Sequence, residues 1–284
     1  MPRIAYVNGA YVPLEDASVH IEDRGYQFAD GIYEVVLRVG GRFWDLEGHL
    51  KRWARSLSEL EIRAPISEAA LRTVIAKLVE KNRLGDCMIY MQATRGVASR
   101  NHPFPAADTA PALVLTAKPI DLEKLNARAS KGVAVITRPD IRWGRVDIKT
   151  VGLLPNCLAK EAAVRENAVE AWLVKDGKVT EGSSSNAWIV DDKGQLITHP
   201  LGHEILGGIT RQTAIACAES LQMKVVERAF TVDEALKARE AFITSAMNLV
   251  TPVIAIDGKK VGEGAPGPVA TRLRARYVQH NAEG

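Results

Sequence analysis

Residues 171–190, AWLVKDGKVTEGSSSNAWIV, read as three strands in a row. Asp176-Gly177 is a two-residue turn that tolerates positive φ, and it separates the run 171–174 from Val179. The glycine and serines of Gly182-Ser183-Ser184-Ser185 then interrupt the pattern, and 187–190 resumes it. The same turn signal recurs outward from this stretch. Asn8-Gly9 divides 4–7 from 10–12, Lys193-Gly194 divides 187–190 from 196–197, and Asp257-Gly258 divides 253–256 from Val261. Further strand-like runs at 33–39, 88–94, 112–117 and 133–137 are rich in β-branched or aromatic residues.

Helical periodicity lies between these strands. A helix is predicted over 46–60, with Leu46, Leu50, Trp53, Leu57 and Leu60 on one face. Ser67 reads as the N-cap of a second helix reaching Asn82. Pro155 opens a third over 155–167. Thr210 is the expected N-cap of a fourth over 210–221, and Thr231-x-x-Glu234 forms a capping box. A last helix is expected over 267–280. Helices and hairpins alternate without a regular βαβ rhythm, which selects α+β over a doubly wound sheet. The charged stretch 118–132 marks the boundary, giving domains 1–120 and 121–284.

Composition excludes several classes. Apolar residues at 46% and charged residues at 25% rule out wholesale disorder. A formal charge of +3, from 37 basic and 34 acidic residues, is too small and dispersed for a nucleic-acid or membrane-surface partner. No apolar run approaches the roughly 20 residues of a membrane span, and the N-terminus lacks the apolar block of a leader. Cys87, Cys157 and Cys217 are an odd, scattered set that suits a reducing compartment, so a cytoplasmic protein is expected.

Motif by motif, most chemistry is excluded. No Gly-x-Gly-x-x-Gly stands after a strand-like run, and Gly208 stands where a P-loop following Gly202 would need lysine. His199 and His203 are separated by Pro200 and Gly202 and read as loop residues, so no metal is expected. Asn186 replaces the final glycine of a nucleophile elbow around Ser184. Three clusters remain: Asp147-Ile148-Lys149-Thr150, just ahead of a helix; Glu181 leading the Gly/Ser loop; and Leu206-Gly207-Gly208-Ile209-Thr210-Arg211. Each alone is ordinary. Together they provide an amine, a carboxylate and backbone N–H groups at a helix start, which is what an enzyme needs to hold and use pyridoxal phosphate. Arg52, on the first long helix, is a further phosphate ligand candidate.

With these motifs in order, the chain resembles a class IV (fold type IV) pyridoxal-phosphate aminotransferase, most closely the bacterial D-amino acid aminotransferases. The likeness rests on 6–9 (YVNG), 23–35 (DRGYQFADGIYEV), 49–52 (HLKR), 94–96 (TRG), 147–149 (DIK), 180–186 (TEGSSSN) and 208–211 (GITR). It implies two α/β domains with the cofactor in the interdomain cleft, and a homodimer with shared active sites. It implies that Lys149 forms the Schiff base with pyridoxal 5'-phosphate and shuttles the proton. Glu181 would bind the ring nitrogen, and Arg52, Ile209 and Thr210 would hold the phosphate. Ser245 and Ala246 would add to that cup, although Ala246 offers only its N–H where relatives often carry a hydroxyl. On the substrate side, Arg100 and His102 would trap a carboxylate together with Tyr33. The implied reaction is transfer of the amino group from D-amino acids to 2-oxo acids by a ping-pong route. An L-branched-chain aminotransferase, an (R)-amine transaminase and an aminodeoxychorismate lyase are the alternatives on this fold. A non-catalytic vitamer-binding protein is the alternative of another class.

Overall fold

The computed structural model describes residues 3–283; Met1 and Pro2, where the N-terminal reading begins, and Gly284 lie outside them. The chain forms two compact units, Met1–Ile120 with Ile148–Gly152, and Asp121–Asp147 with Leu153–Gly284.

The first unit is built on one antiparallel sheet. Its elements are β1 (Ile4–Val7), β2 (Ala10–Pro13), α1 (Arg24–Phe28), β3 (Gly31–Val39), β4 (Arg42–Phe43), α2 (Leu46–Glu59), α3 (Glu68–Lys81), β5 (Cys87–Thr94) and β6 (Ala112–Pro119). The strand order is β2-β1-β6-β5-β3-β4. The Asn8-Gly9 turn sets Val7 opposite Ala10, as its residues dictate. Alternation in β3 turns Ile32, Glu34 and Val36 inward, and the apolar members join a core with Leu50, Trp53 and Leu57 of α2. Leu46 and Leu60, the ends of the predicted stripe, are only partly buried against it. Ser67 caps α3 by accepting from Ala70 N at 3.3 Å.

The second unit holds a mixed sheet. Its elements are α4 (Leu122–Lys131), β7 (Val133–Pro139), α5 (Leu154–Arg165), β8 (Glu170–Lys175), β9 (Lys178–Gly182), β10 (Asn186–Val190), β11 (Leu196–Thr198) and α6 (Ile209–Ser220). Then come β12 (Val225–Glu227), β13 (Phe230–Thr231), α7 (Val232–Lys237), β14 (Glu240–Ser245), β15 (Leu249–Ile256), β16 (Lys259–Lys260) and α8 (Pro268–Glu283). The order is β12-β11-β10-β14-β15-β7-β8-β9-β13, with β16 beside β15. Most pairs are antiparallel, but β7 runs parallel to both β15 and β8, and β11 to β12. This is an α+β arrangement. The capping box of α7 is formed, Thr231 N donating to Glu234 Oε2 at 2.9 Å and Glu234 N to Thr231 Oγ1 at 3.1 Å.

Four local expectations are corrected. Lys193-Gly194 is part of a five-residue link, because Asp191 Oδ1 accepts from both Lys193 N and Gln195 N. The stretch 118–132 holds the boundary, between Ile120 and Asp121, but is regular structure: it ends β6 and forms the unexpected α4, which Asp121 caps by accepting from Lys124 N at 2.8 Å. Gly208, not Thr210, is the N-cap of α6. Lys149 lies just ahead of α5 as expected, but with the first unit and not the second. Ile148–Gly152 packs with the first unit, where Tyr33 N donates to Lys149 O and Val151 N to Gly31 O, both at 3.0 Å. Five residues of the expected second domain therefore belong with the first unit.

Candidate active site

In the first unit, Lys149 is fixed by its backbone rather than by a helix. Its carbonyl bonds β3, and its N–H donates to the buried Ser56 Oγ at 3.4 Å. The side chain lies over Tyr33, with Nζ 4.1 Å from the ring centroid. Tyr33 in turn stacks on Tyr90 at 5.7 Å, and Tyr90 donates its hydroxyl to Gln92 Oε1 at 2.7 Å. The sequence-predicted lysine and tyrosine are thus brought together.

Arg52 is held by a residue to which the sequence reading gave no role. Glu34, fully buried, accepts from Arg52 Nε at 2.7 Å and Nη2 at 2.9 Å, a bidentate pairing. His49 Nδ1 stands 2.7 Å from Glu34 Oε2. Burial alone would raise the Glu34 carboxyl, but the charge and hydrogen bonds of Arg52, then those of His49, outweigh it and hold it at about 2. Glu34 is therefore ionised and accepts only, so the proton of this contact sits on His49 Nδ1. The spacing of His49 and Arg52, i and i+3 on one face of α2, was the available signal.

In the second unit, Glu181 is the penultimate residue of β9, with its side chain 6% exposed. Its Oε1 accepts from Arg142 Nη1, and its Oε2 accepts from Asn186 Nδ2 at 2.8 Å and Leu206 N at 3.1 Å. Arg142 is locked by Asp140, which takes its Nε at 2.9 Å and Nη2 at 2.7 Å and also accepts from Thr180 Oγ1 at 2.7 Å. Burial works against the charge on Asp140, yet the hydrogen bonds and charge of Arg142 hold its carboxyl below the usual range. Sequence reasoning missed Asp140 and Arg142; their only signal was an acid and a base two apart.

Asn186 joins Glu181 to the glycine loop, since its Nδ2 donates to Leu206 O at 2.9 Å as well. Beyond that loop α6 begins with Ile209 and Thr210 buried and no side-chain cap from Gly208. A buried helix start without a capping side chain or an acid in its first turn suits an oxyanion. A Cβ on Gly208 would overlap Asn186 Oδ1. Gly208→Ala is therefore expected to displace Asn186 and weaken cofactor binding about tenfold or more, since a broken buried hydrogen bond costs about 1–3 kcal/mol. Titration of the cofactor-free protein, followed by absorbance, measures it.

The serines of this region have a different task. Glu170, wholly buried, accepts from the hydroxyls of Ser183, Ser184 and Ser185. They fix the loop and are not poised as nucleophiles. Ser245 Oγ accepts from Asn248 N at 3.1 Å and Nδ2 at 2.9 Å, which leaves its own hydrogen to donate elsewhere. Asn248 Oδ1 accepts from Arg128 Nη2 at 2.9 Å, and Arg274 Nη1 donates to the carbonyls of Asn248 and Val250. Ala246 sits in the turn so braced. His199 Nδ1 is 2.9 Å from Pro200 O, and no group of three or more metal-binding side chains occurs among the described residues.

The pattern of the amino-transferase class IV family matches residues 31–256, most of the chain. The chain belongs to the class IV aminotransferases. It is 41% identical over 275 residues to a D-alanine aminotransferase of Staphylococcus aureus (strain MSSA476), covering 97% of this chain and 96% of that one. A D-alanine aminotransferase of Listeria monocytogenes serotype 4b (strain F2365) is 42% identical, covering 96% and 94%. Among solved structures, the branched-chain aminotransferase of the thermophilic archaeon Thermoproteus uzoniensis, solved with norvaline, superposes with a TM-score of 0.86 at 26% identity, covering 98% of this chain and 94% of that one. The class IV fold expected from the sequence is the fold observed.

Proposed function

We propose that this class IV aminotransferase moves the amino group reversibly from D-amino acids, such as D-alanine and D-glutamate, to 2-oxo acids such as pyruvate and 2-oxoglutarate. The observation that carries this reading is the likeness to D-alanine aminotransferases, 41% over nearly the whole chain, against 26% for the branched-chain structure. The cofactor is pyridoxal 5'-phosphate. The residues present fit it: an amine, a carboxylate paired with a guanidinium, and an uncapped helix start lined by glycine. Once bound, pyridoxal phosphate supplies an aldehyde that captures amines and a cationic ring that withdraws electrons from the neighbouring carbon.

The chain's own groups do the rest. Lys149 Nζ would hold the cofactor's aldehyde and, once the substrate amine displaced it, would be the free base placed to take the substrate's α-proton and give it back. Tyr33 keeps that amine in place from one side. Glu181 would hold the ring nitrogen, and because Arg142, Asn186 and Leu206 N already fix its carboxylate, little reorganisation would be needed. Arg52, Ile209 N, Thr210 and Ser245 would hold the phosphate, with Ala246 contributing its N–H. Arg100 and His102 receive the substrate carboxylate with Tyr33.

A homodimer in the cytoplasm completes the reading. The first unit exposes Ile21, Tyr26, Val97 and Phe104, large apolar side chains that a second copy would cover. No helix among the described residues is long and apolar enough to cross a membrane.

The test is a set of spectral half-reactions of the purified holoenzyme with D- and L-alanine, L-leucine and (R)-phenylethylamine. Bleaching by D-alanine at least about tenfold faster than by L-leucine is expected, a gap of about 1.4 kcal/mol in the barrier. Reaction with L-leucine alone would overturn the reading, and pyruvate release beyond one equivalent per active site without an acceptor keto acid would point to a lyase.

A further inference from the structure

The residues 23–30 have no part in the chemistry above, yet their side chains converge on the loop that carries Arg100 and His102. Arg24 is buried, and its Nη1 donates to Asn101 O at 2.7 Å, while Arg24 N donates to Gly96 O at 2.9 Å. Its Nε donates to Asp30 Oδ2 at 2.8 Å. Asp30 also accepts from Arg95, at 2.8 Å from Nε and 3.0 Å from Nη2, and the Arg95 guanidinium lies 3.5 Å from the centroid of Phe104. The loop is thus held at its start and across 101–104 by one carboxylate acting through two arginines. At its centre, the Phe28 ring supports three groups: the Arg100 guanidinium at 4.8 Å, the His102 ring at 5.6 Å and Arg24 at 4.7 Å.

We infer that Phe28, with the Arg24–Asp30–Arg95 network, is the mount that positions Arg100 and His102 and so sets the affinity for the substrate carboxylate. Arg100 and His102 are both exposed in the single chain, and each rests on the Phe28 ring. An arginine already resting on a ring loses less freedom when a carboxylate docks, and preorganisation of this kind appears in binding rather than in the chemical step. Phe28 and the network are positioning residues. The inference rests on the assignment of Arg100 and His102 under the proposed function.

The test compares the holoenzymes of wild type, Phe28→Leu, Phe28→Tyr and Asp30→Asn. Phe28→Leu is expected to raise KM for D-alanine about tenfold while kcat changes less than about twofold, the mark of lost uniform binding. Cofactor content and melting temperature should stay at wild-type values, and Phe28→Tyr, which keeps the ring, should restore KM. Asp30→Asn should shift KM the same way if it folds; if it does not, the Phe28 pair decides. An unchanged KM in Phe28→Leu overturns the proposal, as does a joint fall of kcat and cofactor content. If wild type turns over L-leucine and not D-alanine, the functional reading fails on its own. The same comparison is then made with L-leucine, where a selective KM rise still supports the mount and an unchanged KM overturns it.

Discussion

Lys149→Ala is expected to lose transamination by at least about a thousandfold and to purify colourless. General acid–base catalysis alone contributes about 10²–10⁴-fold, and this variant also removes the amine placed to hold the cofactor's aldehyde. The backbone of residue 149 bonds β3 through its carbonyl and Ser56 through its N–H, so truncation beyond Cβ leaves the segment in place. Folding should therefore survive, and the loss should be chemical. Coupled assay of D-alanine with 2-oxoglutarate measures the rate. Borohydride reduction of the wild type followed by peptide mapping should label Lys149, and a label on another lysine, or an active yellow variant, would refute the assignment.

Glu34→Gln is expected to have the largest effect on stability. The carboxylate is completely buried and faces Arg52 and His49 at once. Neutralising it leaves a guanidinium only 10% exposed without its counter-charge. Breaking a buried pair from one side costs about 3–5 kcal/mol, which in a chain of this size lowers the melting temperature by about 10 °C. Melting the cofactor-free protein tests this without reference to catalysis. Cofactor affinity should fall too, because Arg52 loses the contact that aims it. The pH dependence has a definite sign. Glu34 is held at about 2 in the folded state against 4.5 ordinarily. Its contribution is complete above about 4.5 and fades as pH falls toward 2. The margin of wild type over Glu34→Gln should shrink across that acid window and stay flat above it; a margin that grows on acidification would contradict the network.

What the sequence made legible follows from the range of the forces involved. The turns at Asn8-Gly9 and Asp176-Gly177, the Ser67 cap and the Thr231–Glu234 box are decided within four residues, and all are formed. Lys149, Glu181 and the glycine loop were readable because their order along the chain is distinctive. Glu34 was not, since it occupies an inward position of an apolar strand and its partners lie 15 and 18 residues away. Arg142 is harder still, because it reaches Glu181 from a stretch with no periodicity, 39 residues upstream. Helix α4 was missed although Asp121 offered a cap, because its charged stretch was read only as a boundary. The five-residue link at 191–195 was misread because an aspartate, and not the glycine, organises it.

The strip Ile148–Gly152 has a bearing on how this protein can be taken apart. A gene cut after residue 120 would encode a fragment whose Gly31 carbonyl and Tyr33 amide have lost their hydrogen-bonding neighbours, along with the reactive amine. Its complement would carry that amine on a tether stripped of the strand that shapes it. Neither piece is an independent module, so splitting, shuffling or grafting of this enzyme has to move 148–152 together with the strand it borders.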